Sequence, residues 1–294
     1  FHLAASICGI LFLMGMAAPG RSAMRVVPHE RLFVSEPPPQ WFGNGPNPGK
    51  GAEGWTNDNW LKSRFHFNFA EYSGGPAQFG CLRVMNDDLV QPDRGFGKHP
   101  HKDMEIITFV VQGELTHQDS LGTKETLGRG SIQFMTAGRG VQHSECNLSK
   151  NHDLRFIQCW VTPRTLHLPP NYGSMVGDEL AAATRRDKWA HVVSDVMGKT
   201  STPVQINQDC NVFVTELSPG AQAPPLEIAS GRQGYLLCVE GWLKAMSAGI
   251  TGELRRHDAA ELKGPMTLGL ASGKEGALVL VFEMAESRDA RRDI

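Results

Sequence analysis

The chain has 294 residues, 40% of them hydrophobic and 20% charged, and its formal net charge is only −2. So even a balance leaves no basic footprint for direct nucleic-acid binding, and Gly 32 and Pro 18 against 8% aromatic residues favour many short strands joined by turns. The six cysteines (Cys8, Cys81, Cys146, Cys159, Cys210, Cys238) form no CxxC pair or regular framework and read as reduced, mostly buried thiols.

Residues 3–18 form a 16-residue apolar run, shorter than the ~20 residues of a spanning helix. With the small residues that follow, the run reads as the core and cleavage site of a removed targeting peptide. The sequence starts at Phe1, and Met24 serves equally well as the initiator. Residues 1–24 are therefore set apart from the fold, and no other stretch looks transmembrane. Met24 as the start implies a cytoplasmic protein; a targeting peptide implies an organellar or secreted one.

Residues 31–34 read as a short strand, and residues 37–54 as a Gly/Pro-rich surface loop. Alternation from Phe65 onward predicts a strand burying Phe65, Phe67 and Phe69. Residues 82–88 are predicted to end in a polar turn at Asn86-Asp87-Asp88, ahead of a bend at Gly95 and Gly97. Residues 106–111, 132–135 and 154–161 read as buried strands between turns marked by Gly113, Gly122, Gly128 and Gly130. Short strands with regular turn signals argue for a barrel or sandwich rather than a βα repeat. Residues 163–177 read as a connector and residues 189–284 as a second strand-rich region. The expected organisation is a first domain over 25–165, a linker over 166–188, a second domain over 189–286 and a solvated tail over 287–294.

The second region echoes the first. Val110-Val111-Gln112-Gly113-Glu114-Leu115 matches Cys238-Val239-Glu240-Gly241-Trp242-Leu243 at an offset of 128. Carried without gaps, that offset sets His99 on Glu227, His101 on Ala229 and Glu105 on Gln233, and it finds no histidine at residues 269–273 opposite His143.

The stretch from Gly95 to Asn147 carries the chemistry. His99 and His101, then His143 and Glu145, are i, i+2 pairs on strand-like pieces, so each pair projects to one face. Three imidazoles and a carboxylate converging inside a barrel suit a divalent transition metal. Glu105 shares odd parity with His99 and His101, so periodicity leaves Glu105 and Glu145 both open as the carboxylate. His152, His167, His191 and His257 lack a partner at ligand spacing and read as ordinary surface or core residues.

His-x-His-x3-Glu followed by His143-x3-Asn147 resembles the general cupin pattern, which would make Glu105 the fourth ligand. HPHKDMEIITFVVQGELTHQDS together with MTAGRGVQHSE more specifically resembles the pirin family, above all its quercetinase-like bacterial and plant members. Trp60-Leu61-Lys62-Ser63, Phe67, Phe69, Leu82-Arg83-Val84 and Gly95-Phe96-Gly97 extend the resemblance, which covers residues 55–165 strongly and 205–285 loosely. It implies an all-β bicupin, two antiparallel β-barrels packed face to face, with metal in the N-terminal one only. It also implies His99, His101, His143 and Glu145 as the ligands, with Glu105 in a supporting role. The implied cofactor is one divalent transition metal, iron(II) first, although these ligands also suit manganese, nickel, copper, cobalt or zinc.

The implied activity is that of a quercetin 2,3-dioxygenase, acting on a phenolic, flavonol-like substrate and O2. In it Glu145 serves as the base for the 3-hydroxyl proton, and ring cleavage releases carbon monoxide. The alternative that the resemblance offers is a non-catalytic, iron-dependent redox sensor with protein partners. One position departs from the family. Many relatives carry a histidine directly after the residue matching Arg64, where this chain has Phe65, with His66 one step on and expected on the opposite face. Phe109, Val111, Phe134 and Trp160 are candidates to line a pocket.

Overall fold

The computed structural model describes residues 23–45 and 59–286. Residues 1–22, residues 46–54 of the expected 37–54 loop and the expected tail at 287–294 lie outside the described residues, whereas Ala23 and Met24 belong to the first strand. In chain order the first half forms β1 (Ala23–Val27), β2 (Phe33–Ser35), β3 (Leu61–Phe65), β4 (Leu82–Val90), β5 (Arg94–His101) and β6 (Glu105–Gln112). It continues with β7 (Leu115–Asp119), β8 (Lys124–Leu127), β9 (Ile132–Thr136), β10 (Val141–Asn147), β11 (Leu154–Val161) and β12 (Asn171–Met175). After α1 (Glu179–Arg185) come β13 (Ala190–Asp195), β14 (Val204–Ile206), β15 (Cys210–Leu217), β16 (Gln222–Ile228), β17 (Arg232–Ser247), β18 (Ile250–Arg255), β19 (Ala259–Lys263) and β20 (Met266–Ala285). No helix among the described residues is long and apolar enough to cross a membrane.

The chain is all-β, with the strands in three sheets. A seven-stranded sheet (β12-β9-β6-β11-β4-β3-β2) faces a four-stranded one (β5-β10-β7-β8), and the second half forms a nine-stranded sheet built around β17 and β20, which β1 from the start of the chain joins by pairing with β19. The closed barrels expected from the resemblance are therefore open, facing sheets among the described residues. Pairing is antiparallel except between β13 and β14.

Period-2 alternation sends the two faces of the seven-stranded sheet to different places. Ile107, Phe109, Val111, Phe134 and Ile157 join Val212, Tyr235, Leu237 and Phe282 of the second half in one continuous core. The two halves thus pack sheet face against sheet face, as expected. Phe109, Val111 and Phe134 accordingly fill this shared core and do not line a pocket. A continuous apolar run does not show which of its two faces a cavity will use.

Other expectations also shift. Asn86, Asp87 and Asp88 do not turn the chain; they are buried mid-strand residues of β4. The aromatic strand ends at Phe65 instead of starting there, with Phe67 buried and Phe69 half-buried beyond it. The expected strand at 31–34 starts with a 3-10 turn, His29–Arg31, before β2. The connector contains β12, which pairs with β9 along its whole length.

The internal echo is structural. Gly113 and Gly241 both hold the left-handed region, at φ +73° and +77°. A Cβ on either would meet a backbone oxygen, that of Asp153 at 2.5 Å or of Gly276 at 2.0 Å. A bulge also recurs. β5 against β10 slips by one residue between His143 and Glu145, opposite His99 and Phe96. β16 against β20 slips likewise between Ala223 and Leu226, opposite Leu270 and Leu268. Superimposing the bulges sets Leu226, Ile228, Leu268 and Leu270 where the first half has His99, His101, His143 and Glu145. This corrects the ungapped placement on Glu227 and Ala229 by one residue, which turns each side chain to the other face. All four replacements are aliphatic and pack in or against the second half's own core.

Candidate metal centre

β5 and β10 are antiparallel neighbours, with His143 directly opposite His99 and Val141 opposite His101. His99, His101 and His143 therefore share one face, and their ring centroids form a near-equilateral triangle of 4.8, 4.6 and 4.7 Å. His99 Nδ1 lies 2.7 Å from the carbonyl oxygen of Gly97. That carbonyl can only accept, so the proton sits on Nδ1 and Nε2 turns its lone pair inward. His99 Nε2 stands 3.1 Å from His143 Nε2. Burial, reinforced by the neighbouring imidazoles, pushes His101 and His143 down to about 3, so both rings are neutral at ordinary pH.

Glu145 lies one pleat beyond His143, its Oε2 4.0 Å from His143 Nε2. It is held from the opposite sheet. Its Oε1 accepts from Gln133 Nε2 at 2.9 Å and its Oε2 from Gln158 Nε2 at 2.8 Å, while Thr108 Oγ1, 3.2 Å from Oε1, gives its one proton to the nearer Gln158 Oε1. Thr108 and Gln158 are themselves bonded at 2.9 Å. Ladder register explains this: Asn86, Gln158, Thr108 and Gln133 are successive cross-strand partners on β4, β11, β6 and β9. They form a polar row across the inner face of an otherwise apolar sheet. Sequence reasoning missed the row, because which strand residues stand opposite one another is set by register and not by any one strand's pattern.

Glu105 stands apart from the histidines. Asp103, at φ +51°, turns the chain between β5 and β6, so the odd-number parity of β5 does not carry over. The Glu105 carboxyl is fully buried, and its Oε2 accepts from Thr136 Oγ1 at 2.8 Å. Burial raises its pKa, opposed by Thr136 and the Asn207 backbone of the second half. A histidine not singled out in the sequence does come close. His117, on β7, is buried, stacks on Tyr172 at 4.5 Å and pairs through Nε2 with Asp119 Oδ2 at 3.1 Å. His117, His143 and Glu145 can offer ligand atoms within 4.8 Å of one another, as can His99, His101 and His143.

Beside the histidines lies a cavity of about 540 Å³, within the size range of small-molecule sites. Trp41, Phe42, Phe65, Phe69, Phe96 and Trp160 form its aromatic walls, while Ser63, Asn86, Asp88 and Gln158 supply polar atoms. Trp160 meets His101 edge-on at 4.9 Å. The strap carrying Trp41 and Phe42 is tied down by Asn44, whose Nδ2 donates to Gly95 O and whose Oδ1 accepts from Gly95 N. Phe65 faces this cavity, whereas His66 points to the other half and shares a 2.9 Å hydrogen bond with the Tyr235 hydroxyl.

The donor set fits a metal ion. Two inward imidazole nitrogens 3.1 Å apart match the separation of about 3 Å between adjacent ligands on an ion with bonds near 2.1 Å. Three imidazoles and a carboxylate suit a first-row divalent ion and leave coordination positions open toward the cavity.

Residues 50–161 match the pirin family and residues 185–284 match the quercetinase C-terminal cupin domain. The pirin-like protein of Caulobacter vibrioides is 33% identical over 229 residues, 78% of this chain and 94% of that protein. The chain belongs to the pirin family. Among other members, the quercetin 2,3-dioxygenase of Escherichia coli K12 is 45% identical over 120 residues, 40% of this chain and 52% of that protein. The bacterial pirin YhhW from Escherichia coli, in complex with nickel(II), aligns with a TM-score of 0.72 at 26% identity, over 90% of this chain and all of that one. The two halves of this pirin are thus its two cupin domains. The five cysteines among the described residues are free thiols, as expected.

Proposed function

We propose that this pirin is a metal-dependent dioxygenase of the quercetin 2,3-dioxygenase type, acting on flavonol-like phenols with O2. Residues 25–165 would form its metal-binding domain. The observation that carries the reading is the triangle of inward-facing histidines with Glu145, beside a cavity with aromatic walls. In the proposed arrangement His99, His101, His143 and Glu145 hold the ion. A bound redox-capable divalent ion, iron(II) foremost, would supply the electron transfer between a phenolate and dioxygen. Nickel(II) in YhhW shows that a relative's fold accepts a divalent transition metal.

The protein's own residues set the rest. Trp41, Phe42 and Trp160 offer faces against which a flat aromatic ligand can lie, and they keep bulk water from the reacting ring. Gln133 and Gln158 occupy two of the four acceptor positions of Glu145. The carboxylate would thus have a lone pair for the ion and another for the 3-hydroxyl proton.

Oxygen uptake and carbon monoxide release with quercetin, on protein loaded anaerobically with iron(II), test the reading. Turnover is expected in the parent protein and is expected to vanish in His101→Ala. Tight metal binding without turnover would instead favour a redox-sensing role for the same four residues. Glu145→Gln that keeps both its metal and full turnover would remove Glu145 as the base.

A further inference from the structure

The cavity has a second polar pole that the metal chemistry does not use. Asp88 and Asn86 lie on the same face of β4, two residues apart, and both line the cavity. Asp88 is 3% and Asn86 4% exposed. Ser63, the cross-strand partner of Asp88 on β3, donates its hydroxyl to Asp88 Oδ1 in a very short hydrogen bond. Asn86 Oδ1 is buried and has no hydrogen-bond partner among the described residues. Its neighbour Asp87 faces the opposite way, toward Arg155 and His257, so no cation in that group reaches across to neutralise Asp88. Burial first, then the charges of Asp87 and Glu145, push the Asp88 carboxyl up to about 8 against the pull of Ser63. At neutral pH it therefore carries its proton mostly on the oxygen that Ser63 does not occupy.

We propose that Asp88, Ser63 and Asn86 form a specificity subsite for an uncharged hydroxyl group on the cavity's ligand. The carboxylic acid donates to the ligand oxygen while Asn86 Oδ1 accepts the ligand's proton, a donor–acceptor pair that a phenolic hydroxyl satisfies at one atom. An anionic group is disfavoured at this pole by the Asn86 oxygen. A bare aromatic edge leaves both buried polar atoms unpaired, which costs more than the hydrogen bonds themselves return. The subsite thus selects polyhydroxylated ligands over those whose only oxygens are at the metal end. This inference rests on the flavonol reading above, and binding rather than turnover tests it.

The full chain loaded with nickel(II) would be titrated calorimetrically with quercetin and with 3-hydroxyflavone, which keeps the 3-hydroxyl and 4-carbonyl but lacks the other hydroxyls. The parent protein is expected to prefer quercetin by roughly 3- to 10-fold, the worth of one or two net hydrogen bonds. Asp88→Leu should abolish the preference, with quercetin bound more weakly and 3-hydroxyflavone more tightly because no buried donor is then left unpaired, and Asp88→Asn, which keeps a donor, should retain part of it. If Asp88→Leu does not fold, Ser63→Ala serves in its place and should at least halve the preference. A preference that survives in these variants, or none in the parent, overturns the subsite alone. If neither flavonol binds the parent protein, the flavonol reading falls, and the subsite with it.

Discussion

At the scale of single residues, the candidate centre is held in place by groups other than the four proposed ligands. Gln133 and Gln158 fix Glu145, and the Gly97 carbonyl fixes the tautomer of His99. Outer partners of this kind typically change metal affinity 10–100-fold. Gln158→Leu is therefore expected to weaken metal binding by about that factor while leaving the fold intact, as competition with a chelator would show. His66 supplies a pH dependence. Burial pushes it down to about 4 from an ordinary 6.5, so between those values the unfolded chain binds a proton that the folded one refuses. Stability then falls as pH drops from 6.5 towards 4, by up to about 3 kcal/mol. Denaturant midpoints at pH 7 and 4.5 should converge in His66→Gln relative to the parent. The three histidines and Glu145 could be picked out from their i, i+2 spacing and family likeness. Asp88, Asn86, His117 and the polar row could not, because a polar residue in a strand reads equally as a surface position or a turn.

At the scale of elements, two devices position the site: the bulge in β5 against β10 and the glycine corners that carry strands from one layer to the next. Gly241 at φ +77°, with the Gly276 oxygen 2.0 Å from a would-be Cβ, leaves no room for a side chain. Gly241→Ala should destabilise the protein by about 2–4 kcal/mol, seen as a lower denaturation midpoint with the metal centre unchanged in the surviving folded fraction. Gly97 holds the strap in the same way, because a Cβ there would lie 2.6 Å from the Phe42 oxygen. Gly97→Ala is expected to displace Phe42 from its edge-on contact with His99, 5.9 Å between centroids, and to weaken aromatic ligand binding more than metal binding. Turn glycines were visible in the sequence. The bulge was not, since it is a property of two strands together, and missing it shifted the second half's equivalents by one residue.

At the scale of the whole molecule, the halves are joined by an apolar core and by one buried ionic knot. Arg155 donates to Asp87 through Nε and Nη2 at 2.8 and 2.7 Å and to the Val239 carbonyl at 2.7 Å, while His257 Nδ1 reaches Asp87 at 2.6 Å. Burial works to raise the Asp87 carboxyl, yet Arg155 and His257 hold it well below the usual carboxylate range. Arg155→Met leaves that carboxylate buried without its main partner and should cost about 3–5 kcal/mol. The double variant with Asp87→Asn should recover part of the loss, and a double-mutant cycle from chemical denaturation measures how much.

Alternation, turn glycines and i, i+2 spacing are local properties of a strand, so the residues themselves pointed to the all-β class, the repeat and the candidate ligand set, while motif likeness pointed to the family. The folded chain adds what those properties leave open: which face of each apolar strand meets the cavity, that Asn86-Asp87-Asp88 is interior strand, and that the second half fills its equivalent positions with aliphatic side chains. Each of these depends on register and parity across strands far apart in the chain. A slip of one residue, too small to leave a mark on composition or periodicity, sends a side chain to the opposite face of the sheet.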